Sequence, residues 1–516
     1  MASTTKRRKL ASTALATTLA AIVLLTLLGH GRLTDWDEGI YSGISRAMVE
    51  GQLLVPRWNG QPWLEKPPLE LWLTALSFRL FGLNEFAARL TSALSGVVLV
   101  ALLHAWLTVR HNDLTAWLNT LILLSTFGFL HVARVGEMDV LLSLACTVAL
   151  IGLCEFATSH ATGWLLFWLG FAMALMTKGA ASITLPITLI LWLATTLASR
   201  PMQDGSNVLR SGEILAFGRR AATFLLGLIV FLALTLPWHL AMLHRFGNDF
   251  TANYLGLHVL TRATTQIEGH TTPWYFYLRV MLLSAAPWVL LYPFALWEGL
   301  RRHALRPFAL FGLTVVVLFS IAQTRLPHYI APAYPALSVL TAAWLAERLR
   351  ALLSTSPNPR QLVLKGAATA LACYGAAALL TAGPRKSLHT ARLANGQTTP
   401  DNREQIALLK QVFQHPTPAV ADTPGPLFTL RTGDYNPIPT TVFYSGRQVQ
   451  QITLAPSSAP RDKYTNDPIP LAVAFADRRP HLLLADRSLI AALPTTISFQ
   501  PVATSQTLAL GVAMAR

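Results

Sequence analysis

Apolar residues in this chain gather in long blocks rather than short alternating runs. Such blocks lie near 10–29, 87–109, 114–131, 138–157, 162–177, 179–199, 219–242, 274–298, 305–322, 329–350 and 362–382. A helix that crosses a bilayer needs about 20 largely apolar residues, so the pattern predicts about eleven transmembrane helices. The fifth and sixth blocks are separated only by Lys178-Gly179. The pattern then changes. "PLFTLRTGD", "QQITLAP", "PHLLLAD" and "TLALGVAMA" read as short strands. "DNREQIALLKQVFQ" reads as an amphipathic helix with Ile406, Leu408, Leu409 and Val412 on one face, and "TPGP" and "APSSAP" act as punctuation. The predicted fold is a multi-pass α-helical membrane domain over 1–383 followed by a small soluble α/β domain over 384–516.

Charge supports the membrane reading and orients it. Only 13% of residues are charged, against roughly 25% in soluble chains. The net charge of +16 does not form one stripe; basic residues punctuate the apolar blocks, so nucleic acid is not an expected partner. "KRRK" at 6–9 puts the N-terminus in the cytoplasm by the positive-inside rule. Alternating from there, the loops 110–113, 158–161, 200–218, 299–304 and 351–361 fall inside and hold or adjoin Arg110, Arg200, Arg210, Arg219, Arg220, Arg301, Arg302, Arg306, Arg348, Arg350, Arg360 and Lys365. The same count puts the C-terminal domain outside. No small-residue cleavage site follows the first block, which is therefore read as an anchor rather than a signal peptide. The three cysteines, Cys146, Cys154 and Cys373, lie in apolar blocks and form no disulfide framework or thiolate motif.

The outside loops carry the candidate chemistry. The first, 30–86, is long and gathers Asp35, Asp37, Glu38, Glu50, Glu65, Lys66 and Glu70. Within it "YSGISRAMVEG" and "EKPPLELWLTALSFRLFG" predict two short interfacial helices, closed by Gly51 and Gly82. Trp58, Trp63 and Trp72 are read as interfacial anchors. Other outside edges add Arg134, Glu137 and Asp139, then Lys178, then His258, Arg262, Glu268 and His270, then Arg325, His328 and Tyr329. Asp139 opens a helix, where a carboxylate also suits the dipole. Ionisable groups collected at one membrane face form a functional-site hypothesis. Acids activate nucleophiles, Lys and Arg hold phosphate, and a Glu/His pair offers two ligands to a divalent metal, a weak signal at unrelated spacing.

The stretch "DWDEGIYSGISRAMVEGQLLVPRWNGQPWLEKPPLELWLTALSFRLFGLNEFAARL" resembles the first periplasmic loop of bacterial GT-C membrane glycosyltransferases. These are the protein O-mannosyltransferase and lipid A aminoarabinose transferase relatives. Arg134 with Asp139, "TKG" at 177–179, "LPHYIAPAYPAL" at 326–337 and "FYSGRQV" in the tail also match. The resemblance covers about the first 350 residues well and the tail loosely.

It implies transfer of a sugar from a polyprenyl phosphate, such as undecaprenyl phosphate, to a lipid, glycan or protein acceptor of the cell envelope. The reaction would occur at the periplasmic face of the inner membrane, without a nucleotide sugar. By the resemblance Asp37, Glu65 and Asp139 are the catalytic candidates. Glu38, Tyr41, Lys66, Arg134, Lys178, Arg262, Arg325 and Tyr329 are expected at the donor and acceptor. In the aminoarabinose branch the Glu and His positions can hold a metal, which makes Glu65 and His258 candidate divalent-metal ligands. No other cofactor is implied. One position departs from that branch, which carries an Arg two residues after the Glu: here "DEGIY" has Ile40. The reaction is kept and the sugar left unnamed.

The contrasting reading is a transporter or flippase for lipid-linked envelope intermediates. Transporters tend to carry polar groups and helix breaks near mid-bilayer in repeated halves. Here the charges sit at block edges and the halves do not mirror each other, which favours the enzyme. A third reading, a non-catalytic relative, is disfavoured by the presence of Asp37, Glu65, Lys66 and Asp139 together.

Overall fold

The computed structural model describes residues 2–158, 160–198, 211–261, 273–355, 402–431, 438–454 and 468–516. The eleventh apolar block at 362–382, the boundary at 383–384, and Arg262, Glu268 and His270 lie outside them, as does the side chain of His258. By contacts the chain forms two units. One comprises 1–28, 64–70 and 89–398, and the other 29–63, 71–88 and 399–516.

The first unit is helical and apolar, as a membrane-spanning domain requires. Among the described residues five helices are long and apolar enough to cross a bilayer, or seven if two bent pairs each count as one span. Ala2–Leu25, Glu85–Arg110 and Asp139–Ala157 match predicted blocks. The block at 114–131 is instead two helices, Asp113–Ser125 and Phe127–Ala133, bent by 70°, and that at 274–298 is bent by 119° between Phe276–Ser284 and Trp288–Arg301. The Lys178-Gly179 junction contains no loop. Gly163–Lys178 passes through a 3-10 turn, Gly179–Ile183, into Thr184–Ala198, so the fifth and sixth blocks form one run of 36 residues.

Close helix approach in this unit depends on small residues. A Cβ at Gly170 would sit 2.5 Å from the carbonyl oxygen of Ala145, and one at Gly152 would sit 2.5 Å from the amide nitrogen of Phe167. Glycine lets Asp139–Ala157 and Gly163–Lys178 pack backbone to backbone, the usual device where lipid offers no hydrophobic drive for helix association. Polar side chains add links between helices. Ser338 Oγ donates to Asn119 Oδ1 at 2.8 Å, and Ser284 and Tyr334 hydroxyls meet at 2.7 Å.

The second unit joins the first outside loop to the tail. In the loop, Asp37–Val49 is a helix, and a two-residue hairpin pairs Arg57–Trp58 (β1) with Gln61–Pro62 (β2). A second helix, Leu69–Phe81, ends at Gly82 with φ +79°, the left-handed stop that glycine supplies cheaply. Its residues Leu73, Leu76, Leu80 and Phe81 are exposed, the apolar face expected of an interfacial helix.

The tail carries a six-stranded sheet built from Leu427–Leu430 (β3), Val449–Thr453 (β4), Ile469–Pro470 (β5), His481–Asp486 (β6), Ile497–Thr504 (β7) and Leu508–Ala515 (β8). Their order is β5-β4-β3-β6-β8-β7. β3, β4, β5 and β6 are parallel and β8 pairs antiparallel with β6 and β7. All six residues of β6 are buried, which explains its unbroken "HLLLA" run. The helix Arg403–Gln414 buries Ile406, Leu408, Leu409 and Val412, the face read from the sequence.

Loop and tail are stitched by side chains. The Asn59 amide bonds both backbone groups of Val449, at 2.8 and 2.7 Å. Tyr444 Oη accepts from the Leu33 amide at 3.1 Å and donates to Glu85 at 2.8 Å, and Lys410 also bonds Glu85.

Candidate active site

Within the loop-tail unit the site begins at a distorted corner. Trp36 has φ +70° and ψ −128°, a region that bulky side chains avoid. Such a residue costs about 1–3 kcal/mol and persists only where its surroundings impose it. Asp37 follows as the first residue of its helix and is half-buried. Tyr41, one turn on, donates from Oη to Asp37 Oδ1 at 2.8 Å, and its ring meets Trp63 edge-on with centroids 6.1 Å apart. Glu38 is 1% exposed; its Oε2 accepts from the Thr34 amide at 2.7 Å and the Thr34 hydroxyl at 3.1 Å. That is a helix-start clasp, so Glu38 supports the corner rather than lying open beside Asp37. Ile40 is fully buried, an apolar packing residue where the aminoarabinose branch carries a cation.

Within the helical unit three expected residues come together. Asp139 opens its helix with a side chain only 3% exposed. Lys178 Nζ donates to both of its oxygens, at 2.8 and 3.0 Å. The same ammonium lies 5.2 Å from the centroid of the Tyr329 ring, within range of a cation–π contact. The local backbone explains how Lys178 reaches this point. Its φ of −146° and ψ of 72° leave the helical region where Gly163–Lys178 ends. A Cβ on Gly179 would fall 1.9 Å from the Tyr254 hydroxyl, so glycine here makes room for the Tyr254 side chain. The "TKG" motif is thus a device for turning a lysine out of an apolar helix.

Two residues outside the catalytic and substrate-binding sets belong to the same neighbourhood of the sequence. Glu137 is buried, and its Oε2 lies 3.9 Å from His328 Nδ1. Both were visible as outside-edge polar residues, Glu137 two before Asp139 and His328 one before Tyr329, but single-sequence spacing gave no reason to pair them.

The remaining expected residues are placed as follows. Glu65 and Lys66 are half-buried just before the Pro67-Pro68 pair. Arg325 Nε donates to the Ser320 carbonyl at 3.1 Å. Arg134 takes a capping position: its guanidinium donates to the carbonyls of Val23, Leu24 and Thr26, at 2.8, 3.0 and 2.7 Å. Those are the orphan acceptors at the end of the first helix.

Residues 65–207 match the family described as dolichyl-phosphate-mannose-protein mannosyltransferase. An undecaprenyl phosphate-alpha-4-amino-4-deoxy-L-arabinose arabinosyl transferase of Pectobacterium atrosepticum is 31% identical over 350 residues, 66% of this chain and 59% of the relative. An uncharacterised protein of Aquifex aeolicus is 31% identical over 61% of this chain and 69% of its own length. The chain belongs to the ArnT-like GT-C glycosyltransferase family.

The solved ArnT of Cupriavidus metallidurans bound to undecaprenyl phosphate shares the fold of this family member, with a TM-score of 0.72 over 97% of both chains at 20% identity. The archaeal oligosaccharyltransferase AglB of Archaeoglobus fulgidus is more distant, with a TM-score of 0.54 over 94% of this chain and 70% of its own at 13% identity. This member of the family is a multi-pass helical membrane protein with a C-terminal sheet domain. It spans about three fifths of the length of the curated arabinosyl transferases it matches.

Proposed function

We propose that the chain is a glycosyltransferase that moves a sugar from a polyprenyl-phosphate donor to a lipid, glycan or protein acceptor at the periplasmic face of the inner membrane. The observation that carries this reading is the Lys178 ammonium, held by a buried carboxylate and lying near Tyr329 in a largely apolar helical unit. The relatives support it: one is named for undecaprenyl-phosphate aminoarabinose transfer, and the solved fold neighbour binds undecaprenyl phosphate. We further infer about eleven spans, an N-terminus in the cytoplasm, and a division into 1–383 and a periplasmic 384–516.

The chemistry follows from charge. A glycosyl phosphate leaves as a phosphate anion, and fixed cationic and hydroxyl donors lower the cost of that developing charge. Lys178, Lys66, Arg325 and Tyr329 are the groups we assign to the donor phosphate. Asp37 would take the acceptor's proton or stabilise the sugar's developing positive charge, with the Tyr41 hydroxyl orienting its carboxylate. Asp139 would hold Lys178 rather than meet the sugar. The capping contacts favour a structural role for Arg134. A divalent metal at Glu65 and His258 stays part of the proposal through the family resemblance alone.

The two bent helix pairs, at 70° and 119°, are a feature that broken-helix transporters share, and they keep the flippase reading in contention. One experiment separates the two. The purified full chain in proteoliposomes carrying undecaprenyl-phosphate sugars is given an envelope extract of lipids, glycans and proteins. An enzyme releases undecaprenyl phosphate and labels an acceptor. A flippase moves intact donor across proteoliposomes and releases none.

A further inference from the structure

Every residue from Leu33 to Asp37 is constrained within the loop-tail unit. The Leu33 amide donates to Tyr444 Oη at 3.1 Å, and Thr34 is clasped by Glu38. Asp35, only 8% exposed, meets the tail. Its Oδ1 accepts from the backbone amide of Thr440 at 3.1 Å and from the Thr440 hydroxyl at 2.7 Å, and its Oδ2 accepts from the Asn402 side-chain amide at 2.6 Å. The next residue is Trp36 with its φ of +70°, and the Trp36 carbonyl accepts the first helical bond, from the Ile40 amide at 2.7 Å. Gly39 meets the same tail segment, and a Cβ there would lie 2.9 Å from Pro439 Cβ.

A carboxylate nine-tenths buried and met by three neutral donors is a costly way to hold two segments together unless their geometry matters. Asp35 and Thr440 are 405 residues apart in the chain, so their pairing is a tertiary choice. The distorted corner lies between this anchor and Asp37. If Asp35 lets go, the Trp36 backbone is free to relax, and the Asp37 carboxylate turns with it.

We propose that Asp35 is a positioning residue for the transfer reaction. Through Thr440 and Asn402 the C-terminal domain fixes the Trp36 corner and so sets the direction of Asp37. The proposal rests on the functional reading above for the identity of the reaction, and on geometry alone for the clamp. It gives the C-terminal domain a function: it completes the active-site loop from outside that loop's own sequence.

The test uses the full chain in nanodiscs, with undecaprenyl-phosphate mannose, glucose and 4-amino-4-deoxyarabinose as donors and an envelope fraction containing lipids, glycans and proteins as acceptor. Asp35→Asn puts an NH2 group where an acceptor is required, and Thr440→Val removes the hydroxyl while keeping the shape. Both are expected to speed hydrogen exchange of peptides covering 33–41 by about tenfold or more, with β3, β6 and β8 as protected as before. Both should lower kcat by roughly 30- to 100-fold, the scale of an ångström-sized misplacement, with the donor KM within about twofold. Thr440→Ser should restore both readouts.

Unchanged exchange over 33–41 overturns the clamp. A rise spread equally over the sheet overturns it too, because Asp35 would then only stabilise the domain. A KM that rises as far as kcat falls would assign Asp35 to donor binding instead. If the wild-type chain releases no undecaprenyl phosphate from any of the three donors, the functional reading fails. The exchange data alone then uphold or overturn the clamp.

Discussion

The two units bury carboxylates by different means. In the helical unit Asp139 meets a full opposite charge, Lys178, at the start of a helix. In the loop-tail unit Asp35 and Glu38 are met by backbone amides, hydroxyls and a side-chain amide. An ion pair needs only one partner residue and suits a wall of apolar helices that have few polar groups to spare. A set of neutral donors fixes a carboxylate in direction and suits a place where backbone geometry is at stake. The first arrangement presents a cation, and the second orients an acid.

The sharpest break of this contrast is Asp37→Asn. It should cut sugar transfer by about 10³-fold, in line with loss of a general base, while detergent-extracted protein keeps its melting temperature. Turnover at the wild-type level would remove Asp37 from the chemistry and with it the oriented-acid half of the comparison.

Next in size is Lys178→Met. It strands Asp139 in an apolar setting and should destabilise the helical unit by about 3–5 kcal/mol, read as a fall in melting temperature. The double change Asp139→Asn with Lys178→Met should recover most of that stability yet fail to bind undecaprenyl phosphate in a flotation assay. Retained binding in the double variant would show that the pair is structural only.

A smaller effect is expected from Tyr444→Phe, which removes the link between Leu33 and Glu85. Burial, with the Glu85 carboxylate beside it, pushes the Tyr444 hydroxyl well above its ordinary value, so it stays protonated and donates throughout the working range. Its loss should cost about 1–2 kcal/mol, seen as earlier urea unfolding of the tail by tryptophan-independent circular dichroism. No shift in the midpoint would mean that water replaces the hydroxyl.

The smallest lies on the surface. Hydrogen bonds from Ser505 and Thr507 hold Glu404 down at about 2, from an ordinary 4.5. A depressed carboxylate contributes stability that is complete above its unfolded value near 4.5 and lost as pH falls toward 2. Glu404→Gln should therefore flatten the acid limb of the stability profile between about pH 4.5 and 2, by well under 1 kcal/mol because the group is exposed. An acid limb identical to wild type would contradict this.

Much of the fold was legible in the chain. Apolar blocks of spanning length gave the helical unit, Gly82 marked a helix end that the backbone requires, and the Ile406–Val412 face gave the tail helix its buried side. The apolar pattern runs unbroken through Thr126 and through Ser284–Trp288, so hydrophobic length alone does not show the bends of 70° and 119°, although Pro287 in the second break is a helix breaker that the chain displays. Of the expected site residues, Asp139, Lys178 and Tyr329 are brought together. Arg134 and Glu38 bond backbone groups, contacts that a one-dimensional pattern does not show.

The sequence by itself determined that the chain enters a membrane many times, that its acids gather in one long loop, and that a strand-rich tail follows. Hydrophobic length and charge spacing are local properties, and local properties survive being written in one dimension. Only the tertiary structure decided what each acid does. Asp35, Asp37 and Glu38 stand within four positions of one another. One is gripped by a residue 405 positions away, one is turned by a distorted corner, and one is spent on the amide four residues before it. Burial and hydrogen-bond direction separate them, and both depend on which distant segment the fold brings alongside.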